Sequence, residues 1–202
     1  MGNEVNCTAR LGKQESEGKA LLETSEILFR GDFRLKIPFS TIKSAKAVEG
    51  ELRLQTAEGL AVFHLGAPAE KWCEKIRHPK SRIEKLGVKA DAKVSLIGDF
   101  DAGFLAEIGK LTKSLSKSKV AADSEWIFFA VDSKKDLSAV SKTSKCMEGA
   151  AALWIVYPKG QKHITENDVL AAGRKAGLKD VKVVGFSSTH TALKFVIPLS
   201  RR

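Results

Sequence analysis

Lys159, Lys162 and His163 follow the apolar run AALWIVYP (151–158) and precede Thr165, which stands three residues before Asp168. Thr and an acidic residue at that spacing mark a capped helix start. The free N–H groups and partial positive charge of a helix N-terminus favour anions. Cations beside such a start therefore make a candidate anion site, with Lys159 the charge nearest the apolar run. His190, inside the turn SSTHT (187–191), is a candidate general base, because its charge changes near neutral pH. Asp99 and Asp132 each follow a short apolar run, SLIG and IFFAV. They form a candidate carboxylate pair or ribose acceptor. Each residue also has a plainer role: a solvated lysine loop, a helix-capping aspartate or a polar turn residue.

These residues meet only if the apolar runs are parallel strands ending on one edge. In an open parallel sheet, ligands sit beyond the carboxyl ends of the strands. AKVSLIG, EWIFFAVD and ALWIVYP are nearly continuous apolar runs, as expected of strands covered on both faces. Helical patterns separate them. DFDAGFLAEIGKL puts Phe100, Phe104, Ile108 and Leu111 on one face, and TENDVLAAGRKAGL closes at Gly177. SKKDLSAVSKTSKCM opens with Ser133 and Asp136 at capping-box spacing, and KSLSKSKV holds a weak strand. Alternation of this kind predicts a mostly parallel sheet with helices on both faces. DVKVVGF and ALKFVIPL are separated only by a turn, which makes the last strand antiparallel.

The first part of the chain has a different period. In FRLKIPF, residues Phe33, Leu35, Ile37 and Phe39 alternate with Arg34, Lys36 and Pro38; Leu52 and Leu54 alternate in the same way. That period of two marks antiparallel strands buried on one face. It gives way at APAEKWCEKI to a helical stripe of Ala69, Trp72, Cys73 and Ile76, with Pro68 in the first turn and Pro79 beyond the end. The expected organisation is a loose leader over 1–16, a β domain with a closing helix over 17–79, a charged hinge over 80–90 and an α/β domain over 91–202.

Composition bounds the function without choosing it. The 202 residues carry 34 Lys and Arg against 24 Asp and Glu, a formal charge of +10. That balance suits an anionic partner: nucleic acid, an acidic surface or a phosphorylated small molecule. The three cysteines are scattered, with no metal-ligand spacing, and read as reduced thiols in a cytoplasmic protein. No apolar signal region opens the sequence and no run is long enough to span a bilayer, so membrane insertion is not expected. Gly98 and Gly103 have phosphate-loop spacing, but Phe104 and Leu105 stand where Lys and Ser or Thr are required.

Residues 17–78, by strand order and closing helix, resemble a bacterial pleckstrin-homology-like (PH-like) or GRAM-like domain. Such domains bind lipid headgroups or peptides, or neither. The segments KLGVKADAKVSLIG, WIFFAVDSKKDL, GAALWIVYPKG and AGLKDVKVVGFSSTHTALKFV resemble the uncharacterised bacterial family DUF3052. Their strand–helix order and final hairpin also look like a Rossmann-like methyltransferase core. That resemblance implies a glycine-rich cofactor loop after the first strand and an acidic residue after the second. Here the loop keeps only Gly98 and Gly103, and no acid follows KSLSKSKV before Asp123.

The expected protein is a non-catalytic binding or regulatory protein with an anion-binding lip formed by Lys159, Lys162, His163, Thr165, His190, Asp99 and Asp132. No cofactor and no metal are assigned. Its expected partner is an anionic small molecule or a protein. A methyltransferase-like enzyme with an altered cofactor loop and a charge-driven nucleic-acid binder are the alternatives.

Overall fold

The structure, a computed structural model, describes residues 3–202. The chain is mixed α and β and divides after Lys80 into two compact units.

The first unit is a seven-stranded antiparallel sheet. Its strands are β1 (Asn3–Leu11), β2 (Gln14–Leu22), β3 (Glu26–Arg30), β4 (Arg34–Pro38), β5 (Ser44–Val48), β6 (Glu51–Thr56) and β7 (Gly59–His64). Their order is β4-β3-β2-β1-β7-β6-β5, so two meanders join where β1 pairs with β7. Helix α1 (Pro68–Arg77) comes next and buries Ala69, Trp72, Cys73 and Ile76, the stripe expected from its spacing. These side chains share one core with Ile27, Phe29, Leu52, Leu54 and Phe63.

The expected loose leader is corrected here. Residues from Asn3 onward form β1, which pairs with β2 along its whole length from Asn3↔Leu22 to Leu11↔Gln14. Val5, Cys7, Ala9 and Leu11 do alternate with Asn6, Thr8 and Arg10, but the small Cys7 and Ala9 make that pattern look polar. Met1 and Gly2 lie outside the described residues.

The second unit opens with α2 (Arg82–Leu86), within the stretch expected to be a hinge. Ser81 and Glu84 form a full capping box, and Gly87 closes the helix at φ +78°. Leu86 is buried in a core of the second unit, which ties the segment to that unit. Next come β8 (Val94–Ile97), α3 (Ala102–Leu111), β9 (Leu115–Lys117) and β10 (Trp126–Ala130). The segment after Ser133, patterned as one helix, is a 3-10 turn (Asp136–Ala139) leading into the short α4 (Val140–Ser144). The chain ends with β11 (Ala152–Pro158), α5 (Glu166–Lys175), β12 (Lys179–Gly185) and β13 (His190–Val196).

The second sheet has the order β12-β13-β11-β10-β8-β9. Strands β11, β10, β8 and β9 run parallel. β13 is antiparallel to both neighbours, so β12 points the same way as β11. Alternate residues feed two cores. Ile127, Phe129, Leu153, Ile155 and Phe195 face one, while Phe128, Trp154, Val156 and Ala192 face the other.

Candidate functional site

The carboxyl ends of β8, β10, β11 and β12 lie on one edge of the second sheet, and β13 starts there. Pro158 sits opposite His190 in the β11–β13 register. The Lys159 N–H donates to the Thr189 carbonyl (2.8 Å), and its Nζ donates to the Ser187 carbonyl (2.8 Å). That side chain passes Gly185 of β12, where an added Cβ would lie 3.7 Å from Nζ. Ser187 Oγ accepts from the N–H groups of Thr189 (3.2 Å) and His190 (3.0 Å), and the His190 Nδ1 lies 2.9 Å from Thr189 Oγ1. Lys159 and His190 therefore belong to one lip, organised by Ser187 rather than by an acid.

A second group gathers around the start of α5. Thr165 Oγ1 donates to Asp168 Oδ2 (2.7 Å) and accepts from the Asp168 N–H (3.3 Å), and the Thr165 N–H donates to the same carboxylate (2.9 Å). Lys134 adds an ion pair to Asp168 at 2.9 Å. Lys134 and Thr165 together hold the Asp168 carboxyl down to about 2. His163 Nε2 lies 3.1 Å from the Asp132 carbonyl oxygen, joining the loop after β10 to the loop after β11. Beneath them the Tyr157 hydroxyl donates to Glu166 Oε2 (3.1 Å), and burial, then that carboxylate, raise the phenol above its ordinary range. Ser133 Oγ and N–H hold the Asp136 carboxylate (2.9 and 2.8 Å) and lower its pKa.

The two groups share the edge and the β11–β13 ladder, and no side-chain hydrogen bond among the described residues links them. Asp99 and Lys162 are exposed and make no hydrogen bond or ion pair among the described residues. The cap on α3 is Asp101, not Asp99: its Oδ1 accepts from the Phe104 N–H at 2.8 Å.

Between β8 and α3, where a nucleotide-type cofactor would meet a glycine loop, the chain fills the space itself. Phe104 lies 5.1 Å from Phe128, 5.3 Å from Phe100 and 4.8 Å from Phe186, between ring centroids. The Arg82 guanidinium stacks over Phe104 (5.1 Å) and Phe186 (4.8 Å) and bonds both Asp101 (2.8 Å) and Glu107 (3.0 Å). Arg82, with the Phe104 N–H, holds the Asp101 carboxyl below its usual range. Gly98, at φ +86°, lies so close to β10 that a Cβ would stand 2.8 Å from the Ala130 carbonyl oxygen. Strand packing thus requires this glycine whether or not a ligand binds.

Arg82 and Phe186 escape the sequence reading because they come from distant elements. The S-x-x-E box at Ser81–Glu84 marks the helix that carries Arg82, but nothing in the spacing points it at Asp101.

No protein-family model matches the chain, including that of the family resembled above, and no curated protein matches it. Solved structures similar to it include a SAM-dependent methyltransferase from Aquifex aeolicus: 13% identity, 57% of this chain, 87% of that one, TM-score 0.47. A TehB-like SAM-dependent methyltransferase from Corynebacterium glutamicum is similar at 11% identity, over 64% and 96%, TM-score 0.38. The N-terminal PH domain of human ARAP2 is similar at 11% identity, over 50% and 93%, TM-score 0.34. Among the described residues no helix is long and apolar enough to cross a membrane, and no cluster of three metal-ligating side chains forms.

Proposed function

We propose that this is a non-catalytic binding protein in which a PH-like module precedes a methyltransferase-like module that has lost its cofactor crevice. The order β4-β3-β2-β1-β7-β6-β5 with a closing helix supports the first assignment. The antiparallel β13 between β11 and β12 supports the second.

The observation that carries the reading is the filling of the space between β8 and α3 by Phe100, Phe104, Phe186 and Arg82. S-adenosylmethionine does not fit these residues. The start of α3 is capped by Asp101, itself bonded to Arg82. β9 runs into Lys117, Ser118 and Lys119, so no carboxylate stands there for a ribose; the first acid, Asp123, is paired with Lys93. In this reading the edge keeps a recognition role through the lip of Lys159 and His190. Lys159 exchanges the Ser187 carbonyl for an anionic group, an exchange between hydrogen bonds of similar kind. Calorimetry with S-adenosylmethionine is expected to show no binding, and micromolar affinity would restore the methyltransferase reading.

A further inference from the structure

The opposite end of the second unit holds a cavity of about 400 Å³ where the carboxyl ends of α4 and α5 meet the segment after β13. Lys145, Lys175 and Arg201 line it with Ser141 and Ser144, and Met147, Leu178 and Ile197 supply apolar walls. No carboxylate lines it. Three other cavities differ in this respect: one includes Asp123, Glu125 and Glu148, another Glu17, and a third Glu4.

The cations are only partly used by the chain. Arg201 Nη1 donates to the Gly177 carbonyl (2.8 Å), its guanidinium lying against the glycine where a Cβ would be. This fixes the fork, and its other N–H groups have no partner among the described residues. The ammonium groups of Lys145 and Lys175 make no hydrogen bond or ion pair among them. Ser144 Oγ has one hydrogen, within reach of the Ser141 (3.1 Å) and Ala176 (3.4 Å) carbonyls. The Ser141 hydroxyl donates to nothing described. Cations at helix carboxyl ends complement the helix dipole. That role is open to Lys175 at the end of the ten-residue α5 and to Lys145 at the end of α4, and it leaves both ammonium groups free to bind a ligand.

We propose that this cavity binds a small phosphorylated molecule, its phosphate held by Lys145, Lys175 and Arg201 and its organic part resting on Met147, Leu178 and Ile197. A phosphate group is close to a dianion at neutral pH and offers several acceptor oxygens. A donor set of two ammoniums, a guanidinium fork and the Ser141 hydroxyl, with no carboxylate among them, matches that better than a singly charged carboxylate.

The test uses the full chain carrying Lys159→Ala, which removes the lysine that meets Ser187 in the lip on the other edge. Calorimetry is expected to show saturable binding of phenyl phosphate, competed by inorganic phosphate and about tenfold or more tighter than benzoate. Lys145→Gln with Lys175→Gln should weaken it at least about tenfold, as should Arg201→Gln alone. Circular dichroism identifies a variant that has unfolded, and either of the two then decides. Absence of saturable binding, equal affinity for benzoate, or unchanged affinity in the folded variants overturns the proposal. None of these results depends on whether S-adenosylmethionine binds.

Discussion

Two clusters at opposite ends of the second sheet treat charge in different ways. At the carboxyl end, Arg82 is shared by Asp101 and Glu107, Asp168 by Thr165 and Lys134, and Lys159 is held by a backbone carbonyl. At the amino end, Lys145 and Lys175 converge on a cavity with no counter-charge in its lining. A cluster whose groups satisfy one another is built for rigidity, and one with unmatched donors has capacity left for a ligand. In an α/β sheet the carboxyl edge is where ligands are expected. Here the space between β8 and α3 is occupied by aromatic side chains, and the cavity lined by Lys145, Lys175 and Arg201 lies at the other end.

The largest effect should come from removing the filler. Phe104 is fully buried in the ring cluster, and Phe104→Ala should cost ~3–5 kcal/mol by loss of burial and creation of a cavity. Chemical denaturation measures this. A loss below about 1 kcal/mol would mean that the cluster is loose and the crevice open. A second result would sharpen the contrast: if Phe104→Ala folds and gains affinity for S-adenosylmethionine, the fill alone was the barrier.

Gly98→Ala is the next largest. The residue has φ +86° and its new Cβ would meet the Ala130 carbonyl, so a loss of about 1–3 kcal/mol is expected without any ligand. Unchanged stability would mean that β8 and β10 relax easily there, and the glycine would again need a ligand to explain it.

Much of the frame is legible in the sequence. Period two gives way to the helical stripe of Ala69, Trp72, Cys73 and Ile76, and the Thr165–Asp168 box forms as spaced. Local chemistry carries such features. Strand β1 escapes the pattern because Cys7 and Ala9 are too small to announce a buried face, and the cap expected of Asp99 is supplied by Asp101 two residues later. The Lys159–His190 lip comes from strand direction, which the alternation of elements reveals. The Arg82–Phe186 stack and the Lys145, Lys175 and Arg201 cavity do not, because each unites segments that only tertiary packing brings together.

Acid should also separate the edges. A carboxyl whose folded pKa lies below its unfolded one stabilises fully above the unfolded value and loses that contribution as pH falls through the folded value. For Asp168 the window runs from near 3.8 down to about 2. Asp168→Asn should therefore melt lower than the parent at pH 7, with the gap closing as pH approaches 2. Melting curves across that range check it, and a gap that persists at pH 2 would assign the effect to packing instead of charge. The amino-end cavity has no lining carboxylate to titrate in this window.

Lys159→Ala should be the mildest change to stability and the most informative about the lip. The side chain is exposed, and its one bond, to the Ser187 carbonyl, is exchangeable with water. Loss of such a contact should move stability by no more than about 0.5 kcal/mol. The register Pro158↔His190 and the backbone bond from Lys159 to Thr189 survive the substitution, so the lip keeps its shape. If Lys159 supplies the charge for an anion there, parent and variant should differ when titrated with pyrophosphate. The lip's binding should weaken by about 1–3 kcal/mol, the contribution of one charge-assisted hydrogen bond. Binding at the amino end should persist in the variant and weaken at least about tenfold in Lys145→Gln with Lys175→Gln. Identical titrations for parent and Lys159→Ala would leave Pro158 and Lys159 as the end of a buried strand and confine anion recognition to the amino end.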